Sequence, residues 1–154
     1  MTKKHLAISL VAALLVVSGA QVYVSAESAT AEDEIRAVVE ASYIHGAFNE
    51  QNTNAMRAGF HPTFKIHGVS DGELSEYPID RWIASIEERK SQAGYQPETW
   101  THEFPVIDIT GDAAIVKVEL FHDSRHVYTD YLSLLRFADG WKITDKVYHR
   151  HADS

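Results

Sequence analysis

The residues equipped for acid–base chemistry in this chain are an aspartate, a scatter of histidines and several tyrosines. Asp130 lies in a segment of alternating polar and apolar residues, and its candidate partner is a histidine drawn from His67, His122 or His149. A carboxylate that orients an imidazole in a partly apolar pocket leaves it a competent general acid or base near neutral pH. Tyr43, Tyr128 or Tyr131 would supply a hydroxyl donor beside such a pair. The candidate catalytic set is therefore Asp130, His67 and Tyr128, with Tyr43, Trp82, Trp100, His122 and His149 as candidate ligand contacts. The competing reading is that Asp130 pairs with Lys146 or Arg136 and does no more than stabilise a sheet.

Other chemistries are excluded by composition or by missing motifs. The 154 residues include no cysteine, which removes disulfides, thiolate nucleophiles and Cys-ligated metals. Nine histidines raise the question of a metal. His122 and His126 flank a turn and His149 and His151 stand two apart, but zinc needs three or four converging ligands and only pairs are found. There is no Gly-rich dinucleotide motif, phosphate loop, nucleophile elbow or HExxH helix. No metal and no cofactor are expected. With 22 acidic against 14 basic side chains and a net charge of −8, a nucleic-acid partner is not expected either.

These side chains need elements to hold them. Thr30 and Asp33 read as a capping box, and Ile35, Val38, Val39, Tyr43 and Ala47 recur at helical spacing, predicting a helix over 33–49. Asn52 or Thr53 caps a short second helix that stops at Gly59. Phe64 to Val69 reads as a strand, Asp71-Gly72 as a hairpin turn, and a return strand ends near Tyr77. Ile79, Trp82, Ile83 and Ile86 then place an amphipathic helix over 79–91. From residue 98 the period becomes two, and Thr99–Thr110, Ala113–His122, His126–Phe137 and Trp141–Arg150 read as four strands joined by turn residues. Helices followed by a long antiparallel meander predict an α+β fold, with a curved sheet wrapped around the helices and a conical cavity for a small ligand.

Alternation assigns faces within this meander. His122 falls in register with the apolar set Ala114, Val116, Val118 and Leu120, near the cavity rim. His126, Tyr128, Asp130, Leu132 and Leu134 share one face of the next strand, and Trp141, Ile143, Asp145, Val147 and His149 share one face of the last. Trp100, His102 and Phe104 line the cavity or an outer, dimer-forming surface. A bulge would reverse any of these assignments beyond it.

The first stretch reads as an address. Lys3 and Lys4 precede an apolar run from Leu6 to Val17, followed by small-residue exits at Ala20 and Ala26. Cleavage near Ala26 is expected, giving a signal peptide over 1–26, a domain over 27–154, and an exported (periplasmic or secreted) product without a stable membrane anchor. The remaining 128 residues carry a net charge of −10.

The order of elements and several short motifs resemble the nuclear transport factor 2-like superfamily, which includes ketosteroid isomerase-like and polyketide cyclase-like domains. The closest resemblance is to the family labelled "putative lumazine-binding". The matching segments are Phe60-His61-Pro62, Ile79 to Ile83, Gly111-Asp112-Ala113-Ala114, Thr129-Asp130-Tyr131-Leu132, Asp139-Gly140-Trp141-Lys142-Ile143 and Lys146-Val147. The resemblance implies a cone-shaped curved sheet around N-terminal helices and a homodimer formed through the outer sheet face. Superfamily dehydratases and isomerases use an Asp or His with Tyr donors, so two functional expectations stand. One is a domain binding a small apolar or aromatic molecule. The other is an isomerase, dehydratase or cyclase using Asp-His-Tyr acid–base catalysis, with a non-catalytic scaffold as the third possibility.

Overall fold

A computed structural model describes residues 30–152; the expected signal peptide lies outside the described residues. The first helix, α1 (Ala31–Val38), begins as its sequence dictates. The Thr30 hydroxyl accepts from the Asp33 amide at 3.2 Å, while the Asp33 carboxylate accepts from the Thr30 amide at 3.1 Å. Glu32, Asp33 and Glu34 sit at the positive end of the helix dipole.

The single helix expected over 33–49 is in fact two segments, because from Val39 to Asn49 the chain continues as a π-helix. Its last turn closes with the Glu50 amide donating to the carbonyl of His45, five residues back. Two faces of this segment are buried. Tyr43, Ile44 and Ala47 enter the core, while Ser42 and Gly46 face the second helix, α2 (Thr53–Gly59), which Asn52 caps. That contact is close, since a Cβ on Gly59 would lie 1.9 Å from the Ser42 hydroxyl oxygen.

Six strands form one sheet. β1 (Phe60–Ser70) and β2 (Glu73–Pro78) make a hairpin whose turn residues, Asp71 and Gly72, both have positive φ, as a type I′ turn requires. After α3 (Ile79–Lys90) come β3 (Thr101–Thr110), β4 (Ala113–His122), β5 (Arg125–Phe137) and β6 (Gly140–Arg150) in a meander. The spatial order is β2-β1-β6-β5-β4-β3, antiparallel throughout except where β1 runs parallel to β6. The sheet is curved and unclosed, and the architecture is the expected α+β cone. One face packs on the helices through Val116, Val118, Leu120, Leu132, Leu134, Trp141 and Ile143 against Ile35, Val39, Tyr43, Ile83 and Ile86.

Two bulges correct the face assignments made from simple alternation. Leu120 pairs with Tyr128 but Phe121 pairs with His126, so Val127 is an extra residue in β5 and His126 leaves the face carrying Tyr128 and Asp130. Likewise Leu134 pairs with Ile143 and Ser133 with Asp145, leaving Thr144 as an extra residue in β6. Beyond Thr144 the alternation inverts. Lys146 turns into the core, while Val147 is solvent-facing and no longer shares a face with Trp141 and Ile143.

Candidate functional site

The consequence of the β6 bulge is a buried ionic cluster in the middle of the fold. Asp130 from β5 and Tyr43 from the π-helix are 0% exposed, and Lys146 from β6 is 6% exposed. The Tyr43 hydroxyl donates to Asp130 Oδ2, and Lys146 Nζ donates to the Tyr43 hydroxyl at 2.7 Å. Lys146 Nζ also lies 3.2 Å from Asp130 Oδ2. The other carboxylate oxygen, Oδ1, is buried without a hydrogen-bond partner among the described residues.

Burial governs the protonation of this cluster. Loss of solvent raises the Tyr43 phenol well above its ordinary value, and the neighbouring Asp130 charge adds to the effect, so Tyr43 stays neutral and keeps its proton. Burial also lowers the Lys146 ammonium, against the opposing attraction of Asp130. The rings of Tyr43, Trp82 and Tyr148 surround Nζ at 5.1, 5.7 and 5.2 Å.

Lys146 is the point at which the cluster meets a cavity. A hollow of about 280 Å³ is lined by Phe48, Ile66, Tyr77, Trp82, Tyr128, Tyr148 and Lys146. A second hollow of about 330 Å³ shares Phe48, Trp82 and Tyr128 with it and continues past Gln51, Tyr95 and Trp100. Aromatic contacts knit the two together: Phe48 meets Trp100 at 5.4 Å and Trp82 at 6.4 Å, and Trp100 stacks on Tyr128 at 6.0 Å. The loop bearing Trp100 is pinned to the π-helix, because Asn49 accepts from the Trp100 amide at 2.8 Å and donates to its carbonyl at 3.1 Å. A larger cleft of about 600 Å³ lies between α1 and the β5–β6 turn. It is lined by solvent-facing ion pairs, Glu34–Arg136 and Asp139–Lys142, and reaches none of the three cluster residues.

Five of the residues singled out by sequence therefore converge with Asp130: Tyr43 in the cluster, Trp82, Trp100 and Tyr128 on the cavity walls, and His122 stacked 4.9 Å from Trp100. His67 does not join them. It bridges Asp145 at 2.9 Å and Glu76 at 3.2 Å, and the Asp145 hydrogen bond raises its pKa. His149 is turned away by the β6 bulge and meets His151, which with His126 brackets the Thr129 hydroxyl. Among the described residues no group of three acidic or histidine side chains is arranged to hold a metal ion.

Among the described residues Asp130 thus takes a lysine and a tyrosine as partners, and no histidine. The Asp130–Lys146 pair was legible only as a sheet-stabilising contact, because simple alternation along β6 pointed Lys146 to solvent. No local signal in Trp-Lys-Ile-Thr-Asp-Lys marks Thr144 as the bulge.

A curved sheet covered by four helical segments over an aromatic cavity defines a domain of the nuclear transport factor 2-like class. Within that class the chain belongs to the family described as "Putative lumazine-binding", whose model matches residues 30–149. A solved nuclear transport factor 2-like protein of unknown function from Shewanella baltica is 27% identical, with 81% of this chain and 99% of that one covered and a TM-score of 0.64. Another, from Methylobacillus flagellatus, is 26% identical over 79% of this chain and 92% of its own, with a TM-score of 0.62. The aldolase FrzH of Cladobotryum sp is 28% identical over 120 residues, 77% of this chain and 92% of the relative.

Proposed function

We propose that this domain binds a small, largely aromatic or apolar molecule in the cavity over Lys146 and moves a proton on it. The carrying observation is the Asp130–Tyr43–Lys146 cluster, which meets, through Lys146, a hollow walled by aromatic rings. Such a cluster is a poor way to stabilise a core. Desolvating two charges costs more than a well-packed apolar pair of similar volume, and Asp130 Oδ1 goes unpaired as well. Costs of that kind concentrate at functional sites. Aromatic walls supply affinity for a ring, while Lys146 supplies the polar anchor, backed by the Tyr43 hydroxyl behind it.

Proton transfer rather than binding alone is favoured by the pairing of a neutral phenol with an amine of lowered pKa, and by the likeness to a protein named as an aldolase. The expected mechanism changes in one respect, with Lys146 in the place given to a histidine. Small molecules extracted from the natively produced protein and identified by mass spectrometry test the reading. It predicts one chemical class carrying a ring and a polar group. Equal recovery from a Trp82→Ala, Tyr128→Ala variant would contradict it.

Two further expectations belong to the same reading. The N-terminal pattern is that of an exported protein cleaved near Ala26, and the outer sheet face is that of a homodimer. Val106, Ile115, Tyr131, Leu135 and Val147 on that face are each 43–48% exposed, an apolar row crossing four strands.

A further inference from the structure

We infer that Lys146 is a covalent anchor, its amine condensing with an aldehyde or ketone of the bound molecule to form an imine. The inference deepens the reading of the aromatic cavity as a small-molecule site and rests on it. Three observations carry it. Lys146 lines the cavity, so its amine can meet a ligand seated among Phe48, Trp82, Tyr128 and Tyr148. It is nearly buried, at 6% exposure, unlike an ordinary surface lysine that is solvated and fully charged. It is also in contact with the two groups that condensation needs, a carboxylate at 3.2 Å and a neutral hydroxyl at 2.7 Å. A lysine desolvated among apolar rings is the kind that becomes nucleophilic towards carbonyls.

The proton inventory closes on these residues. The ammonium of Lys146 gives one proton to Asp130 by way of the Tyr43 hydroxyl, leaving a free amine. Nζ attacks the carbonyl carbon, a C–N bond forms, and a second nitrogen proton moves to the carbonyl oxygen through Tyr43. The proton held by Asp130 then joins that hydroxyl, the C–O bond breaks, and water leaves. What remains is a protonated imine facing the Asp130 carboxylate. Ammonium and carbonyl have become iminium and water, with no oxidant or reductant consumed. The substrate class is accordingly a small aldehyde or ketone carrying an aromatic or apolar body.

The full chain incubated with benzaldehyde and cyanoborohydride near neutral pH tests this, the reductant trapping any imine as a stable benzyl amine. Peptide mapping is expected to find Lys146 labelled at least about tenfold faster than Lys65, Lys117 or Lys142, because its amine is desolvated among apolar rings and sits at the cavity wall. Lys146→Arg should abolish that label and leave the surface lysines as they were. Benzyl alcohol, which has the ring but no carbonyl, serves as the binding control through quenching of tryptophan fluorescence. Quenching by benzyl alcohol, with Lys146 labelled no faster than the surface lysines, overturns the covalent step and leaves the cavity reading standing. Neither quenching nor selective labelling overturns both.

Discussion

The cluster at the centre of this protein is a case in which the cost of burial identifies the residues that matter. Tyr43, Asp130 and Lys146 satisfy one another only in part, and removing either charged member strands the other. Lys146→Met is expected to destabilise the domain by about 3–5 kcal/mol in urea unfolding, because Asp130 is left as an uncompensated buried charge. Tyr43→Phe should cost less, about 1–3 kcal/mol, since the Lys146–Asp130 pair survives. The combined Asp130→Leu, Lys146→Met, Tyr43→Phe variant is expected to be as stable as the wild type or more so, while binding no ligand. A triple variant as unstable as Lys146→Met would show that the cluster is structural. His67 gives a separate, pH-dependent signal. The Asp145 hydrogen bond holds its folded pKa above the unfolded value, so its stabilising contribution is fully present below about pH 6.5 and disappears as the pH rises through the raised folded pKa. The stability difference between wild type and His67→Gln should therefore shrink on raising the pH across that window. A difference that grows would reverse the sign assigned here.

At the scale of elements, most boundaries were legible because local chemistry wrote them. The Thr30–Asp33 box starts α1, Asn52 starts α2, and the Asp71-Gly72 and Asp139-Gly140 turns end strands where their backbone demands. Two elements were not legible. The π-helical segment uses the same apolar residues an α-helix would, and what distinguishes it is the longer hydrogen-bond turn. The β6 bulge at Thr144 leaves no mark in residue type, yet it decides whether Lys146 or Val147 faces the core. The bulging out of that one residue brings Lys146 into the core beside Asp130 and Tyr43. Deleting Thr144 removes the bulge yet keeps Asp145 opposite Ser133 and Lys146 opposite Leu132, so Lys146 should stay in the core, measurable as reaction of its amine with acetic anhydride well below the rate of Lys65. Packing of α2 on the π-helix is a second point of control. Gly59→Ala places a methyl 1.9 Å from the Ser42 oxygen, so a loss of about 1–3 kcal/mol is expected. An unchanged urea midpoint would show that the two helices can separate freely.

The whole molecule carries an outer apolar sheet face and an inner aromatic cavity. The outer row is proposed to pair two copies of the chain. Sedimentation should show a dimer, which Tyr131→Lys with Val147→Glu converts to a monomer, and a wild-type monomer at high concentration would refute the pairing. The inner cavity carries the central claim, and the molecule offers its own control in the larger cleft beside α1. Ile66→Trp puts an indole into the hollow over Lys146, whereas Ala37→Trp obstructs the cleft. The most direct measurement is native mass spectrometry of these two variants and the wild type, each isolated with whatever molecule it retains. The expected result is a bound mass that Ala37→Trp keeps and Ile66→Trp loses. Retention by Ile66→Trp with loss in Ala37→Trp would contradict it.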